Sequence, residues 1–286
     1  METNAILKRL DRLDDLPTLP SIALEVNRLI EDYNTSVSKL SETIEKDQSI
    51  VSKILKLVNS AFFGLSSKVG NIPHAVTLLG FNTVRNAVVS VSVINAFQGN
   101  KVPEGLDIRE FWTHSVGVAV TSRSMAEKTR LFTPEDCFIA GLLHDVGKIV
   151  LAQYFPDIFK RVWARIREGN TSFYEAEKEE LPVDHAMIGG YLTKKWQLPA
   201  RLVDTIKYHH SLNTGAIEPN LLMIIHAADI IFNNYMSVSK EWPNLTSLPQ
   251  DFLPALRGHI VDVKDWFPDL SVEINSACDF FLKELG

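Results

Sequence analysis

An apolar run that contains an adjacent histidine and aspartate constrains the fold of this chain more than any other feature. Residues 137–151 have the length and composition of one buried helix, and His144 and Asp145 interrupt them. Burying an imidazole and a carboxylate without partners costs on the order of several kcal/mol. A metal ion would satisfy both groups, but neighbouring helical residues point about 100° apart, so one ion is accessible to both only near a helix end or from a shared rim. In the alternative interpretation, His144 caps a carbonyl group and Asp145 pairs with Lys148.

Charge and composition limit the functional classes to consider. A net charge of -6 argues against non-specific nucleic-acid binding, which requires a basic face. No apolar run reaches the length of about 18 residues that a membrane span needs, and the polar, acidic start lacks the apolar region of a signal peptide. The cysteines, Cys137 and Cys278, have neither metal-site nor disulfide-framework spacing. We therefore expect a cytoplasmic protein with reduced cysteines that does not bind a membrane or nucleic acid.

The hydrophobic periodicity predicts helices throughout the chain and hence an all-α fold. Ser21 begins an amphipathic helix, Asp47 is a good N-cap for another, and Pro73 suits the first turn of a third. Gly80 ends that third helix, and Asn82 is expected to cap the next. Residues 88–94 alternate and are β-branched, as in strands, but a lone strand among helices has no partner. We therefore predict a helix there as well.

A segment rich in glycine, proline and polar residues, 99–105, predicts a boundary between two lobes. The first predicted lobe covers residues 1–98 and the second residues 106–286. The first lobe has no catalytic pattern, since His74 follows Pro73 at a helix start, where a capping or surface role is sufficient. The linker is short, and the first lobe is too small to bury all its apolar helices alone. We therefore expect the lobes to pack on each other.

The second lobe carries imidazoles and carboxylates on or beside several apolar helices. Six of the eight histidines lie between His114 and His226. Glu110 and His114 are four residues apart and share one helix face. Helical bundles build metal sites from such groups on separate helices, and nitrogen and oxygen ligands without thiolate suit Fe, Mn, Mg, Ni or Zn. We predict a site for one or two divalent ions, with Lys148 close enough to neutralise phosphate charge or donate a proton.

The second lobe resembles the HD superfamily of helical metal-dependent phosphohydrolases. The superfamily signature of His, His-Asp and a distant Asp matches His114, His144-Asp145 and Asp229. The HD-GYP branch, which hydrolyses cyclic di-GMP at a multinuclear metal centre, has further motif positions, which are matched here in the same order by Glu110, Lys148, His185 and His209-His210. The resemblance implies that Asp145 and Lys148 act in catalysis. It implies metal ligation by Glu110, His114, His144, Asp145, His185, His209, His210 and Asp229.

The whole chain resembles a third branch, the HDOD proteins (HD-related output domain). The motifs that carry this resemblance are Ile-Glu-Lys-Asp at 44–47, Val-Asn-Ser-Ala-Phe-Phe-Gly at 58–64, Ile72, Ala75-Val76 and Leu78-Leu79-Gly80. It implies a two-lobed, all-α output module of bacterial signal transduction that binds a partner protein or small ligand. The alternative is a metal-dependent phosphohydrolase acting on a nucleotide or cyclic dinucleotide. Residues 211–218 replace the Gly-Tyr-Pro segment of HD-GYP proteins, so we expect little or no turnover of cyclic di-GMP.

Overall fold

The protein is described by a computed structural model that covers residues 3–13, 16–60, 62–97, 105–169, 171–212, 215–236 and 263–283. Within these ranges every regular element is an α-helix, so the all-α prediction is confirmed. The helices before residue 98 are α1 (Thr3–Asp11), α2 (Ser21–Glu31), α3 (Val37–Ile44), α4 (Gln48–Val58), α5 (Ile72–Leu79) and α6 (Phe81–Phe97). The helices after residue 105 are α7 (Ile108–Thr129), α8 (Pro134–Leu143), α9 (Val146–Tyr154), α10 (Pro156–Glu168), α11 (Phe173–Glu180), α12 (His185–Lys195), α13 (Ala200–Tyr208), α14 (Pro219–Met236) and α15 (Val263–Lys283).

Most predicted helix starts are confirmed, and one is wrong. The Asp47 side chain accepts hydrogen bonds from two backbone N–H groups in the first turn of α4, and Pro73 lies in the first turn of α5. Residues 88–94 belong to the buried helix α6. Asn82, however, is not an N-cap, because α6 begins at the preceding residue. Gly80, with a φ of 83°, ends α5 and redirects the chain within one residue, which leaves no separate capping position.

One apolar core extends from the N-terminal to the C-terminal helices. The Phe62 ring, after α4, lies 5.7 Å from the Phe138 ring of α8. The Phe97 ring of α6 lies 6.3 Å from the Trp112 ring of α7. The two sets of helices therefore pack on each other, as expected. The predicted linker lies almost entirely outside the described residues, so the division into two lobes at 99–105 stays a prediction.

A network of ion pairs also joins the N-terminal helices to the C-terminal ones. Arg85 of α6 is 2% exposed, and its Nη2 lies 2.6 Å from Asp136 Oδ1 of α8. The other carboxylate oxygen of Asp136 accepts a hydrogen bond from Arg201 Nε of α13 at 2.7 Å. Glu31, at the end of α2, lies 3.4 Å from Arg201. Both α8 and α13 begin beside this network, and they end just before His144 and His209, respectively.

Two expectations drawn from composition can be compared with the structure. Cys137 and Cys278 are buried and unpaired, as predicted. Across the described ranges, no single helix combines the length and the apolar character of a membrane crossing. The segments Pro134–Tyr154 and Pro156–Glu168 meet those criteria only when taken together across a bend of 115°.

Candidate metal centre

The helix is interrupted at the His144-Asp145 pair, so the prediction of one continuous helix over residues 137–151 is wrong. Helix α8 ends at Leu143, and α9 begins at Val146. The break brings Asp145 Oδ2 to 3.3 Å from His144 Nε2, whereas a straight helix would direct the two side chains about 100° apart. The helix end that shared ligation requires is therefore present.

Seven of the eight predicted ligands come together in two adjacent groups. Within each group, one ligand atom from every residue lies within 4.8 Å of the others. The first group, the Asp145 group, consists of Asp145, His185, His209 and His210, and the second, the His114 group, consists of His114, His144 and Asp229. Their side chains come from α7, the α8–α9 junction, α12, the end of α13 and α14, which is how helical bundles form metal sites.

Asp145 lies between the two groups and contacts both. Its Oδ1 lies 3.0 Å from His185 Nε2 and 3.7 Å from His209 Nε2. Its Oδ2 lies 3.3 Å from His144 Nε2 and 3.5 Å from His114 Nε2. Since its two oxygens face different groups, Asp145 would offer one oxygen to a cation in each group. The two groups thus form one centre rather than two independent sites.

Backbone carbonyls orient two of the imidazoles. His144 Nδ1 lies 2.7 Å from the carbonyl oxygen of Gly141, and His209 Nδ1 lies 2.7 Å from that of Ile206. A carbonyl can only accept, so we assign the ring proton to Nδ1 in both. Nε2 then faces the centre, and the lone pair of its neutral form would be available to a metal ion. The predicted alternative, in which His144 only caps a carbonyl, describes a contact that is present but leaves Nε2 free for ligation.

Glu177, which the sequence reasoning missed, performs the corresponding role for His185. Its carboxylate is 0% exposed and accepts two hydrogen bonds from His185, one from the ring Nδ1 and one from the backbone N–H at 3.2 Å. Residues 175–180 are mostly acidic and resemble a solvated helix face. One signal was available, since Phe173 and Glu177 are four residues apart and therefore share a face of α11.

Two atoms of the centre are buried without the hydrogen bond that such atoms normally make. His209 Nε2 has no hydrogen-bond partner, and neither has Asp145 Oδ1, although it lies 3.0 Å from His185 Nε2. Most buried polar atoms in folded proteins are paired. A cation would supply the missing partner to both atoms, and the donor set of imidazoles and carboxylates fits Fe, Mn, Ni or Zn.

The imidazoles of the centre differ in how readily they hold a proton. Burial lowers the pKa of His144, but the nearby charge of Asp145 outweighs it and raises the pKa to about 10. Burial is likewise opposed at His185, where Glu177 raises the pKa to about 9. At His210, burial and the positive charge of His185 lower the pKa to about 2. Without a metal ion, protons therefore compensate the carboxylates, and a bound cation would displace them.

Lys148 lies next to the bridging carboxylate, as predicted. Its Nζ donates to Asp145 Oδ2 at 2.6 Å and lies 5.1 Å from the centre of the Phe173 ring. The ion pair of Asp145 with Lys148, the other part of the alternative interpretation, is thus also present. It leaves Asp145 Oδ1 available, so the ion pair and metal ligation are compatible.

A cavity of about 250 Å³ lies against the centre. His114, Asp145 and Lys148 border it on one side. Exposed Glu110, one turn before His114, also lines it but belongs to neither ligand group. Its predicted role as a ligand stays a prediction. The remaining wall is largely apolar and includes Phe111, Phe159, Trp163, Phe173 and Met236.

Gly147 allows the helices of the centre to approach closely. A Cβ atom at this position would lie 1.9 Å from the carbonyl oxygen of His185. Only a residue without a side chain fits there, so α9 can pack directly against the start of α12. The sequence reasoning included Gly147 in the motif without assigning it this role, because the contact joins residues far apart in the chain.

The helical fold and the two His/Asp groups define a helical protein of the HD type. The chain belongs to the HDOD domain family, whose sequence profile matches residues 16–212. This match spans the predicted boundary between the lobes, so the family unit includes helices on both sides of it.

Individual relatives agree with this assignment. An uncharacterised protein of Treponema pallidum (strain Nichols) is 30% identical over 203 residues, which are 71% of this chain but 39% of that protein. A protein of Shewanella amazonensis SB2B, named as a proposed phosphohydrolase, is 26% identical in sequence to this chain. Its crystal structure matches with a TM-score of 0.76 over 97% of each chain. An HDOD domain protein of unknown function from Geobacter sulfurreducens has the same fold, with 24% identity, a TM-score of 0.80 and 98% of each chain covered.

Proposed function

We propose that this chain is an output module of bacterial signal transduction that binds a small phosphorylated ligand at a two-ion metal centre. The observation that carries the proposal is the position of Asp145, whose two oxygens face separate groups of ligands. A single structural ion would need only one such group. Two groups joined by one carboxylate favour a pair of ions.

The charge of the centre favours an anionic ligand. Two divalent ions would carry four positive charges, and the buried carboxylates of Asp145, Asp229 and Glu177 would neutralise three of them. Lys148 adds a further positive charge at the edge of the cavity. A phosphate group, with several negatively charged oxygens, is the small-molecule group that best complements such an excess of positive charge.

The cavity provides space for the rest of that ligand. Its volume of about 250 Å³ approaches the range of small-molecule sites, and six of its twelve lining residues are apolar or aromatic. A phosphorylated molecule would therefore place its phosphate at the side of His114, Asp145 and Lys148, and its apolar part against the aromatic wall.

Hydrolysis of a phosphate ester is the second candidate function. The observation that favours it is that His114 and Asp145 belong to the ligand groups and also border the cavity, so the centre is accessible to a substrate. Bound metal ions at such a site supply a water molecule of lowered pKa and neutralise phosphate charge. Lys148 would contribute by binding a phosphate oxygen that does not react. The name of the Shewanella relative is consistent with this candidate.

Elemental analysis tests the metal centre. Protein purified without a histidine tag and incubated with Fe, Mn, Ni or Zn should retain about two ions per chain. The double variant His144→Ala, Asp145→Ala should retain none. His74→Ala is the matched control, because His74 is exposed on α5 and its loss should leave the metal content unchanged. Wild-type protein that stays free of metal with all four ions would refute the proposal.

Activity assays separate the two candidate functions. Mn- or Fe-loaded protein should turn over little or no cyclic di-GMP, because the Gly-Tyr-Pro segment is absent from the sequence. A generic phosphodiester tests hydrolysis more broadly. Turnover on the order of 1 s⁻¹ that disappears in the double variant would establish the hydrolase. Binding of a phosphorylated ligand without turnover, dependent on the ions, would establish the binding module.

A further inference from the structure

We propose that Glu177 is a positioning residue that holds His185 in the orientation and proton arrangement needed to bind an ion in the Asp145 group. The inference rests on the metal centre of the proposed function and extends it to one of its two halves. It predicts that loss of the Glu177 carboxylate lowers the affinity for the ion in the Asp145 group and leaves the affinity for the ion in the His114 group unchanged.

The geometry gives Glu177 two separate contacts with His185. Its Oε2 receives the ring Nδ1, and both carboxylate oxygens lie 3.2 Å from the His185 backbone nitrogen. His185 begins α12, where backbone N–H groups have no partner within the helix. The capping residue Asp184 accepts from Met187 N instead. Glu177 thus supplies the partner that His185 N–H would otherwise lack.

These two contacts fix the imidazole in one orientation. A carboxylate accepts hydrogen bonds and cannot donate, so it holds a proton on Nδ1 and leaves Nε2 for the centre. His185 Nε2 faces Asp145 Oδ1 at 3.0 Å and His210 Nε2 at 3.0 Å. The residue that Glu177 orients therefore points directly at the other ligands of the Asp145 group.

The charge of Glu177 distinguishes His185 from the other buried imidazoles. His144 and His209 donate their Nδ1 protons to neutral carbonyl oxygens. A carboxylate in the same place makes the imidazole a more basic ligand and thus strengthens its bond to a cation. Because Glu177 and His185 are both 0% exposed, water does not screen this effect. The effect should therefore be confined to the ion that His185 binds.

Glu177→Gln is the direct test, with Glu179→Gln as its matched control. The glutamine keeps the size of the side chain but directs an amide NH₂ group at a donor of His185. Glu179 lies on the same helix, and its side chain is 59% exposed. Competition with a chelator on Zn-loaded protein should show one ion bound about 10- to 100-fold more weakly in Glu177→Gln, and the other ion unchanged. Glu179→Gln should match the wild type for both ions.

A measurement on the wild-type protein covers the case in which Glu177→Gln does not fold. Protein labelled with ¹⁵N in histidine and loaded with Zn should give a His185 signal with the proton on Nδ1 and the metal on Nε2. Metal on Nδ1 would overturn the inference, and so would a Glu177→Gln variant that binds both ions as the wild type does. Each of these results leaves the metal centre itself intact. A wild type that binds no ion would overturn both proposals together.

Discussion

Asp136 is the residue whose replacement tests the network between the N-terminal helices and the metal centre most directly. It lies in the first turn of α8, the helix that ends just before His144. It pairs with Arg201 in the first turn of α13, the helix that ends just before His209. Arg85 of α6 donates to its other oxygen. Asp136→Asn keeps the shape of the side chain and removes its charge.

The structure allows the cost of this change to be worked out in two parts. The Arg85 guanidinium is 2% exposed. Among the described residues it would keep Glu31 at 3.8 Å and two neutral partners, Asn86 and the amide oxygen of the new side chain. Leaving one charge of a buried pair uncompensated costs about 3–5 kcal/mol. The side chain of Arg201 is 28% exposed and still pairs with Glu31, so its contribution is about 0–1 kcal/mol. Together these give a loss of about 3–6 kcal/mol in the free energy of unfolding.

Urea unfolding of the metal-free protein measures this loss. Glu127→Gln is the control, because it breaks the exposed pair with Arg123 and should cost no more than about 0.5 kcal/mol. Adding Arg85→Met to Asp136→Asn should restore part of the stability, since it removes the buried charge that causes the loss. A loss below about 1 kcal/mol for Asp136→Asn, or a double variant less stable than the single one, would refute the reasoning.

Four further predictions concern the centre and the whole fold. Gly147→Ala should lower the free energy of unfolding by about 1–3 kcal/mol or more and abolish metal binding, because its Cβ would lie 1.9 Å from the His185 carbonyl oxygen. Gly169→Ala, whose Cβ would lie 3.9 Å from the nearest atom, should do neither. Denaturation and metal analysis of both variants test this. The folded state raises the pKa of His144 to about 10 and that of His185 to about 9. The protonated imidazoles therefore stabilise the fold fully below pH 6.5, and this contribution is lost as the pH rises towards 9–10. Metal-free protein should become less stable across that window. Near pH 8, ion binding should release about two protons per chain. Calorimetry in buffers of different ionisation enthalpy measures this number, and a value near zero would contradict the prediction. Because one core joins the N-terminal and C-terminal helices, heating should give a single calorimetric transition, and two separated peaks would contradict that packing.

Local patterns in the sequence determined the helices and the types of ligand. The Asp47 cap and the proline in the first turn of α5 follow from short-range stereochemistry, which acts through neighbours in the chain. Residues 88–94 have the local pattern of a strand, and their helix was predicted because a lone strand in a helical chain would have no partner. The His and Asp residues could be recognised for a similar reason, since polar groups in apolar helices need a partner wherever the helices lie. The prediction for Asn82 was wrong because Gly80, with a positive φ, ends one helix directly before the first residue of the next.

Only the tertiary structure decided how these ligands are divided and supported. The two apolar segments on either side of His144 and Asp145 have a composition equally suited to one continuous helix. Packing rather than helix propensity therefore determines that the helix is interrupted there. The bridging position of Asp145, the contact of Glu177 with His185 and the fit at Gly147 each join segments from different helices. Such contacts depend on the distance between helices that are remote in the sequence, and no local pattern encodes that distance.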